Sequence, residues 1–232
     1  VVDGVWVAAV VAESTPFYPL VATGGTITEF TAPDGITYRV HSFTTVGSSE
    51  FEVTQLGSFN EADVLVVAGG GAGGSCGWSS KIGGAGGGAG GIWDLRGLLL
   101  SPSTYHLIVG QGGLGKTNSG SRGENGEDSQ FASHTAYGGG GGGSRSSSNS
   151  TFHQSGGDGG SGGGAGYVLN GAGKGTAEQG SDGGSTTVLS GSGRRVAGGG
   201  GWAERGRNNT EGGHGGNGKL WLDETRNPVL CI

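Results

Sequence analysis

Past Ala68 this chain is largely bare backbone. Six of its 59 glycines (Gly4, Gly24, Gly25, Gly35, Gly47 and Gly57) precede Ala68, and 59 − 6 = 53 come after it. They are gathered into runs at 69–74, 83–91, 138–143, 156–166, 198–201 and 212–218, with weaker ones at 171–175 and 180–184. A segment with so few side chains cannot build an ordinary apolar core. It must either stay a flexible tether or pair its peptide groups with one another.

Composition alone leaves both outcomes open, and three features favour order. The runs recur, with bulky residues between them: Trp78, Trp93, Phe152, Tyr167 and Trp202. Strand-like pieces are interleaved, "YHLIV" at 105–109 and "TTVLS" at 186–190. The chain then ends on the apolar pieces "KLWL" and "PVLCI". Glycine without a Cβ can form a left-handed helix of three residues per turn, like polyproline II, while keeping its N–H. Such helices can pack backbone to backbone and exchange N–H···O=C bonds, with Cα–H···O contacts as a supplement. Only a cooperative array offsets the entropy of ordering glycine.

Residues 24–68 have ordinary β chemistry. "GTITEF" leads into a "PDG" turn at 33–35, then "ITYRVHSF", which puts Tyr38 and Val40 on one face and Arg39 and His41 on the other. "SEFEVTQL" sends Phe51 and Val53 inward and Glu50, Glu52 and Thr54 outward. "ADVLVVA" at 62–68 reads as a strand buried on both faces. Four strands in so short a stretch predict an antiparallel sandwich or jelly roll, with almost no α-helix. Residues 1–23, with two prolines in "STPFYPL", read as a connector or docking segment, or equally as an edge strand. The expected organisation is a connector over 1–23, β-sandwich strands over 24–68, and a glycine-rich domain over 69–232 whose C-terminal strands return to the core.

Net charge is −6, and the longest basic stretch is Arg194-Arg195, so nucleic acid is not an expected partner. The apolar stretch at 5–12 is too short to span a bilayer and has no basic segment before it, so neither membrane insertion nor a secretory leader is expected. Cys76 and Cys231 lack Cys-x-x-Cys spacing; a metal site is not expected, and their pairing stays open.

One motif points elsewhere. Gly110-Gln-Gly-Gly-Leu-Gly115-Lys116-Thr117 fits a phosphate-binding loop letter for letter. That loop needs a helix after it, whose N-terminus supplies the amide donors. Beyond Thr117 the chain reads "NSGSRGENGEDS", full of turn formers, so the motif is a strand running into a glycine turn. Asp128, Ser129 and His134 in "DSQFASH" are close in sequence without being a triad, and "ENGEDS" at 124–129 lacks EF-hand spacing and reads as an acidic turn. No catalytic residue and no cofactor is expected.

The stretch "GTITEFTAPDGITYRVHSFTTVGSSEFEVTQLGSFNEADVLVVAGGGAGG", continued by "GGAGGGAGGI", "YHLIVGQGGLG", "NGEDSQF" and "AYGGGGGGS", resembles the glycine-rich domain of tailed-bacteriophage tail-fibre and adhesin proteins. The resemblance covers about residues 24–218. It implies a β-sandwich leading into a polyglycine-II bundle in a non-enzymatic virion protein. Loops at the distal end would contact a bacterial surface receptor, a glycan or an outer-membrane protein. Other virion fibre or capsid proteins are the implied partners, a homotrimer is allowed, and the implied location is the virion surface, at a tail-fibre tip or a head fibre. A head-attached fibre or decoration protein and a polysaccharide-degrading fibre enzyme are the rival readings.

If glycine helices alternate in direction, connections 75–82, 144–155 and 202–211 fall at one end. That end would gather Trp78, Lys81, Arg145, Phe152, His153, Trp202, Arg205 and Arg207 as receptor-binding residues. Aromatic faces beside Arg donors suit sugar rings and protein surfaces. The alternative is that these aromatics cap a glycine core with no side chains of its own.

Overall fold

The computed structural model describes residues 18–31, 35, 37–75, 84–116, 120–144, 154–167, 171–187, 196–211, 213–218 and 230–231. The alternating and β-branched stretches become strands: β1 (Val21–Thr23), β2 (Thr26–Thr31), β3 (Thr37–Ser42), β4 (Gly47–Gln55), β5 (Glu61–Val67), β6 (Ile92–Leu99), β7 (Ser103–Val109), β8 (Ser129–Phe131), β9 (His134–Ala136) and β10 (Leu230–Cys231). They form two five-stranded sheets, ordered β1-β4-β7-β8-β9 and β2-β3-β10-β5-β6. The ladders are antiparallel except those of β10, which runs parallel to both β3 and β5. Helix among the described residues amounts to a 3-10 turn, Asn209–Glu211, and one α-type residue, Gln154. The protein is therefore mostly β.

The two sheets share one apolar core. Phe51 and Val53 of β4 point into it as their alternation requires, with Phe43, Val64, Val66, Leu107 and Phe131. Tyr105 stacks on Phe131 with ring centroids 5.6 Å apart, and Phe51 packs against both rings. Two details differ from the sequence pattern. Val64 and Val66 are buried, but Val67 is 40% exposed, so β5 is covered on one face, not two. His41 is buried although it shares a face with exposed Arg39: its ring packs edge-on against Phe51 and Nδ1 meets Gly24 O at 2.8 Å.

The compositional boundary at Ala68 is not a boundary in space. Strands β6 to β9 come after the first glycine runs, and β10 lies at the chain's end, yet all join the same two sheets. Between them the chain makes excursions out of the sheets and back. Twelve such runs occur among the described residues, at 68–75, 84–91, 110–116, 120–128, 137–144, 154–160, 161–167, 171–176, 180–187, 196–201, 204–209 and 213–218.

These runs bond to one another with a period of three. In 137–144, Gly139 donates to Gly69, Gly140 to Ser161, Gly141 to the Asn125 side chain, Gly142 to Ala72 and Gly143 to Gly164. Three directions thus repeat in turn. In 161–167 the order is Ala89, Ser181, Gly157, then Gly86, Gly184 and Gln154. A β-strand offers its in-sheet donors with a period of two. A period of three lets one run bond to neighbours on three sides, which is how a bundle satisfies its backbone without side chains.

The same packing explains the glycines. Positive φ among the described glycines is confined to Gly24, Gly25, Gly35, Gly47, Gly97, Gly120 and Gly213. Most bundle glycines are therefore required by space and not by φ. A Cβ on Gly140 would come closer than 3.0 Å to Gly157 O, one on Gly163 to Gly141 O, and one on Gly88 to Ser161 O. Apart from Ala68, which belongs to the sheet core, the apolar side chains buried within the bundle among the described residues are Ala85, Ala165 and Ala197.

Candidate functional site

The bundle has two distinct ends. At the sheet end, Ala68, Gly91 and Tyr137 are joined by bonds from Ala68 N–H to Gly91 O and from Gly91 N–H to Tyr137 O. At the far end, Ser75 N–H bonds to Ser121 O, Ser144 Oγ donates to Gly120 O at 2.8 Å, and Tyr167 N–H reaches Ser144 O. Because runs alternate in direction, six connections start and finish at the far end: 76–83, 117–119, 145–153, 168–170, 188–195 and 210–212. The far end is thus where the described residues that flank these six connections lie.

Buried hydroxyls secure the anchor points of these connections. Ser144 is fully buried, and Thr186 Oγ1 donates to Gly166 O at 2.7 Å. Asn209 accepts from Thr187 N–H at 3.0 Å, and Asn208 from Ser185 N–H at 2.8 Å. Lys116, at the tip of the 110–116 run, pairs with Glu124 on the adjacent run, and that contact holds the Glu124 carboxyl below its usual range. These contacts replace backbone partners that the lattice would otherwise lack.

The expected recognition residues divide unevenly. Trp78, Lys81, Arg145, Phe152 and His153 lie outside the described residues; the described residues next to them in the chain, Ser75 and Ser144, lie at the far end. Trp202, Arg205 and Arg207 do not gather there. Ser161 Oγ donates to Gly201 O and Ser181 Oγ to Trp202 O, and Gly201 N–H bonds to Glu204 O, so the turn at Trp202 sits at the sheet end. Arg205 and Arg207 then lie along the run 204–209 as it crosses the bundle; Arg205 Nη1 bonds to Asn208 Oδ1 at 3.1 Å.

The reason is a hidden reversal. The stretch 156–166 is two antiparallel runs, not one. Gly163 N–H bonds to Gly157 O and Gly166 N–H to Gln154 O, with the turn at Gly160-Ser161. That extra crossing inverts the parity of everything after it. A turn made of glycine and serine leaves no mark in a glycine-rich stretch.

The other motifs have structural roles. In the Gly110–Lys116 segment, the run packs antiparallel to 120–128, with Glu127 N–H on Gln111 O. A Cβ on Gly110 or Gly113 would strike the carbonyls of Glu127 or Glu124, so these glycines admit a neighbouring chain. Asp128 Oδ1 accepts from Gly138 N–H at 2.7 Å, and Ser129, fully buried, accepts from Gly110 N–H at 2.9 Å. His134 instead packs edge-on against Trp93. Sequence reasoning misses Asn125: its Oδ1 accepts from Gly141 N–H at 2.8 Å and its Nδ2 donates to Asp158 O at 2.9 Å. It completes the third direction of the 137–144 run, and an asparagine inside a glycine-rich turn is the only signal of that role.

Among the described residues no helix is long and apolar enough to cross a membrane, and no cluster of three or more His, Cys, Asp or Glu side chains could hold a metal ion. No curated protein and no solved structure matches the chain. The family model described as "Glycine-rich domain" matches residues 44–227, from just before β4 through the whole bundle, and the chain accordingly belongs to the glycine-rich domain family.

Proposed function

We propose that this chain is a recognition module of a tailed-bacteriophage virion, of the tail-fibre or adhesin type, whose far-end connections bind a receptor on the bacterial surface. In this reading the glycine runs are polyglycine-II helices and the sheets form the base. One observation carries the proposal: the described residues that flank six connections lie at a single end of a bundle whose backbone groups are paired in three directions. A rigid platform suits recognition, because preorganised loops lose less entropy on binding. The three-residue donor period supports the polyglycine-II assignment.

The decisive experiment is adsorption. Purified chain added to bacterial cells is expected to be retained on a susceptible strain and to block phage adsorption. Replacing 145–153 with a glycine-serine linker of equal length is expected to abolish both. Undiminished retention by the replaced chain would overturn the assignment of the far end. Amide exchange across 138–166 tests the platform separately: exchange as fast as in an unstructured peptide would overturn the helical bundle.

A further inference from the structure

At the sheet end, on the side of the bundle, an open groove of about 320 Å³ lies between four segments. Its walls carry Asn125 and Asp128 from one run, Tyr137 from the next, Asp158 from a third and Thr176 from the end of a fourth. The volume falls at the small end of the range for small-molecule sites, about 300–1,000 Å³. None of the far-end contacts involves these residues.

The polar walls are fixed before any ligand arrives. Asp128 Oδ1 is held by Gly138 N–H, and Asp158 Oδ1 by Lys174 N–H at 2.7 Å. Thr176 Oγ1 donates to Gly159 O at 3.0 Å, which leaves its lone pairs as acceptors. Tyr137 is anchored through its backbone, where N–H bonds to Gln179 Oε1 at 2.8 Å, while its side chain stands 46% exposed. A carboxylate with one oxygen tied to an amide keeps acceptor capacity on the other.

Charge narrows the ligand. The carboxylic acids of the lining are Asp128 and Asp158, and Lys174, whose backbone N–H holds Asp158, has its ammonium paired with Asp182 at 2.8 Å. An anion would meet two carboxylates. A lone ammonium or guanidinium group would use the carboxylates and leave most of the volume empty. A ligand with several hydroxyl donors and one C–H face satisfies every wall at once: hydroxyls donate to Asp128, Asp158 and Thr176, and the C–H face lies on the Tyr137 ring. We infer that this groove binds a neutral hexopyranose unit, with Tyr137 as the stacking platform and Asp128 and Asp158 as hydroxyl acceptors. The site is separate from the far end and does not depend on what the connections there bind.

Saturation-transfer NMR on the intact chain with methyl glycosides of glucose, galactose and mannose tests it. At least one glycoside is expected to receive saturation. Tyr137→Ala and Asp158→Asn are each expected to weaken that binding tenfold or more, while Lys116→Ala, at the far end, leaves it unchanged. Both groove residues are exposed, and thermal melting of each variant checks that the fold persists. No transfer to any of the three glycosides, transfer unaltered in Tyr137→Ala, or binding of arginine methyl ester in their place would overturn the inference.

Discussion

The sheet half and the glycine half of this molecule solve the same problem with opposite materials. In the sheets, Phe51, Tyr105, Leu107 and Phe131 fill the space between two layers, and the backbone bonds come from strand pairing. In the bundle there is almost nothing to fill with, so at most positions the backbone approaches until no space for a Cβ remains. The first half is sensitive to loss of side-chain atoms, and the inward-facing glycines of the second are sensitive to gain. Mutational sensitivity should therefore reverse sign across the molecule.

The sharpest test of that reversal is Gly140→Val. Its Cβ would sit closer than 3.0 Å to both Gly157 O and Gly163 N, which belong to two adjacent runs. Neither can retreat, because Gly157 and Gly163 are bonded to each other. Overpacking against side chains costs about 1–3 kcal/mol, and against locked backbone it costs more. The expected outcome is loss of slow amide exchange throughout 137–144 and 154–167. Retained protection would break the comparison at its strongest point.

The mirror experiment is Phe131→Ala. Phe131 is fully buried and lies against Phe51 and Tyr105. Deleting its ring should cost about 3–5 kcal/mol, read by denaturant unfolding. A cost under about 1 kcal/mol would mean that the sheet core does not depend on side-chain packing as the burial implies.

Between these extremes stands Asn125, a side chain that acts as backbone. Asn125→Ala leaves Gly141 N–H and Asp158 O without their partners. Gly141 is buried, so the expected cost is about 1–3 kcal/mol. At low pH the acid of Asn125→Asp is neutral and keeps both an acceptor for Gly141 N–H and an O–H donor for Asp158 O, so the variant should cost less than alanine in a thermal melt there. Equal costs for the two variants would mean that neither hydrogen bond carries the stabilisation.

Legibility in the sequence divides along the same line. Side-chain alternation announces its own structure, so β3, β4, β5 and β7 can be read directly from Thr37–Ser42, Gly47–Gln55, Glu61–Val67 and Ser103–Val109. The short strands β8 and β9 carry too few residues to show a period, and β10 pairs with strands far earlier in the chain. In the bundle the glycines announce close approach but not direction. A run of glycine and a turn of glycine have the same letters, so the sequence hides the reversal at Gly160-Ser161, and with it the end at which Trp202 lies. The informative letters are the exceptions: Asp158, Ser161 and Asn125 each hold a backbone group that a neighbouring glycine could not. The loss of legibility is physical, since a residue without a side chain carries no record of which neighbour it faces.

The smallest effect tests the period of three itself. Gly70 and Gly71 are neighbours in one run, yet they should respond oppositely to alanine. A Cβ on Gly71 would come closer than 3.0 Å to the carbonyls of Gly139 and Gly140, whereas one on Gly70 would find nothing nearer than Gly88 O at 3.8 Å. Neither residue has a positive φ, so alanine meets no backbone strain at Gly70. There it restricts the unfolded chain and should stabilise by about 0.4–1 kcal/mol. Three residues on, Gly73 is again exposed, with its nearest contact at 3.6 Å, and should behave like Gly70, while Gly74, crowded by Gly142 and Gly143, should behave like Gly71. Thermal midpoints for alanine at 70, 71, 73 and 74 should therefore rise, fall, rise and fall. A strand with a two-residue period would give alanine at 70 and 73 opposite signs, because residues three apart lie on opposite faces of a pleat. Four substitutions that together add four methyl groups thus separate a three-sided lattice from a sheet.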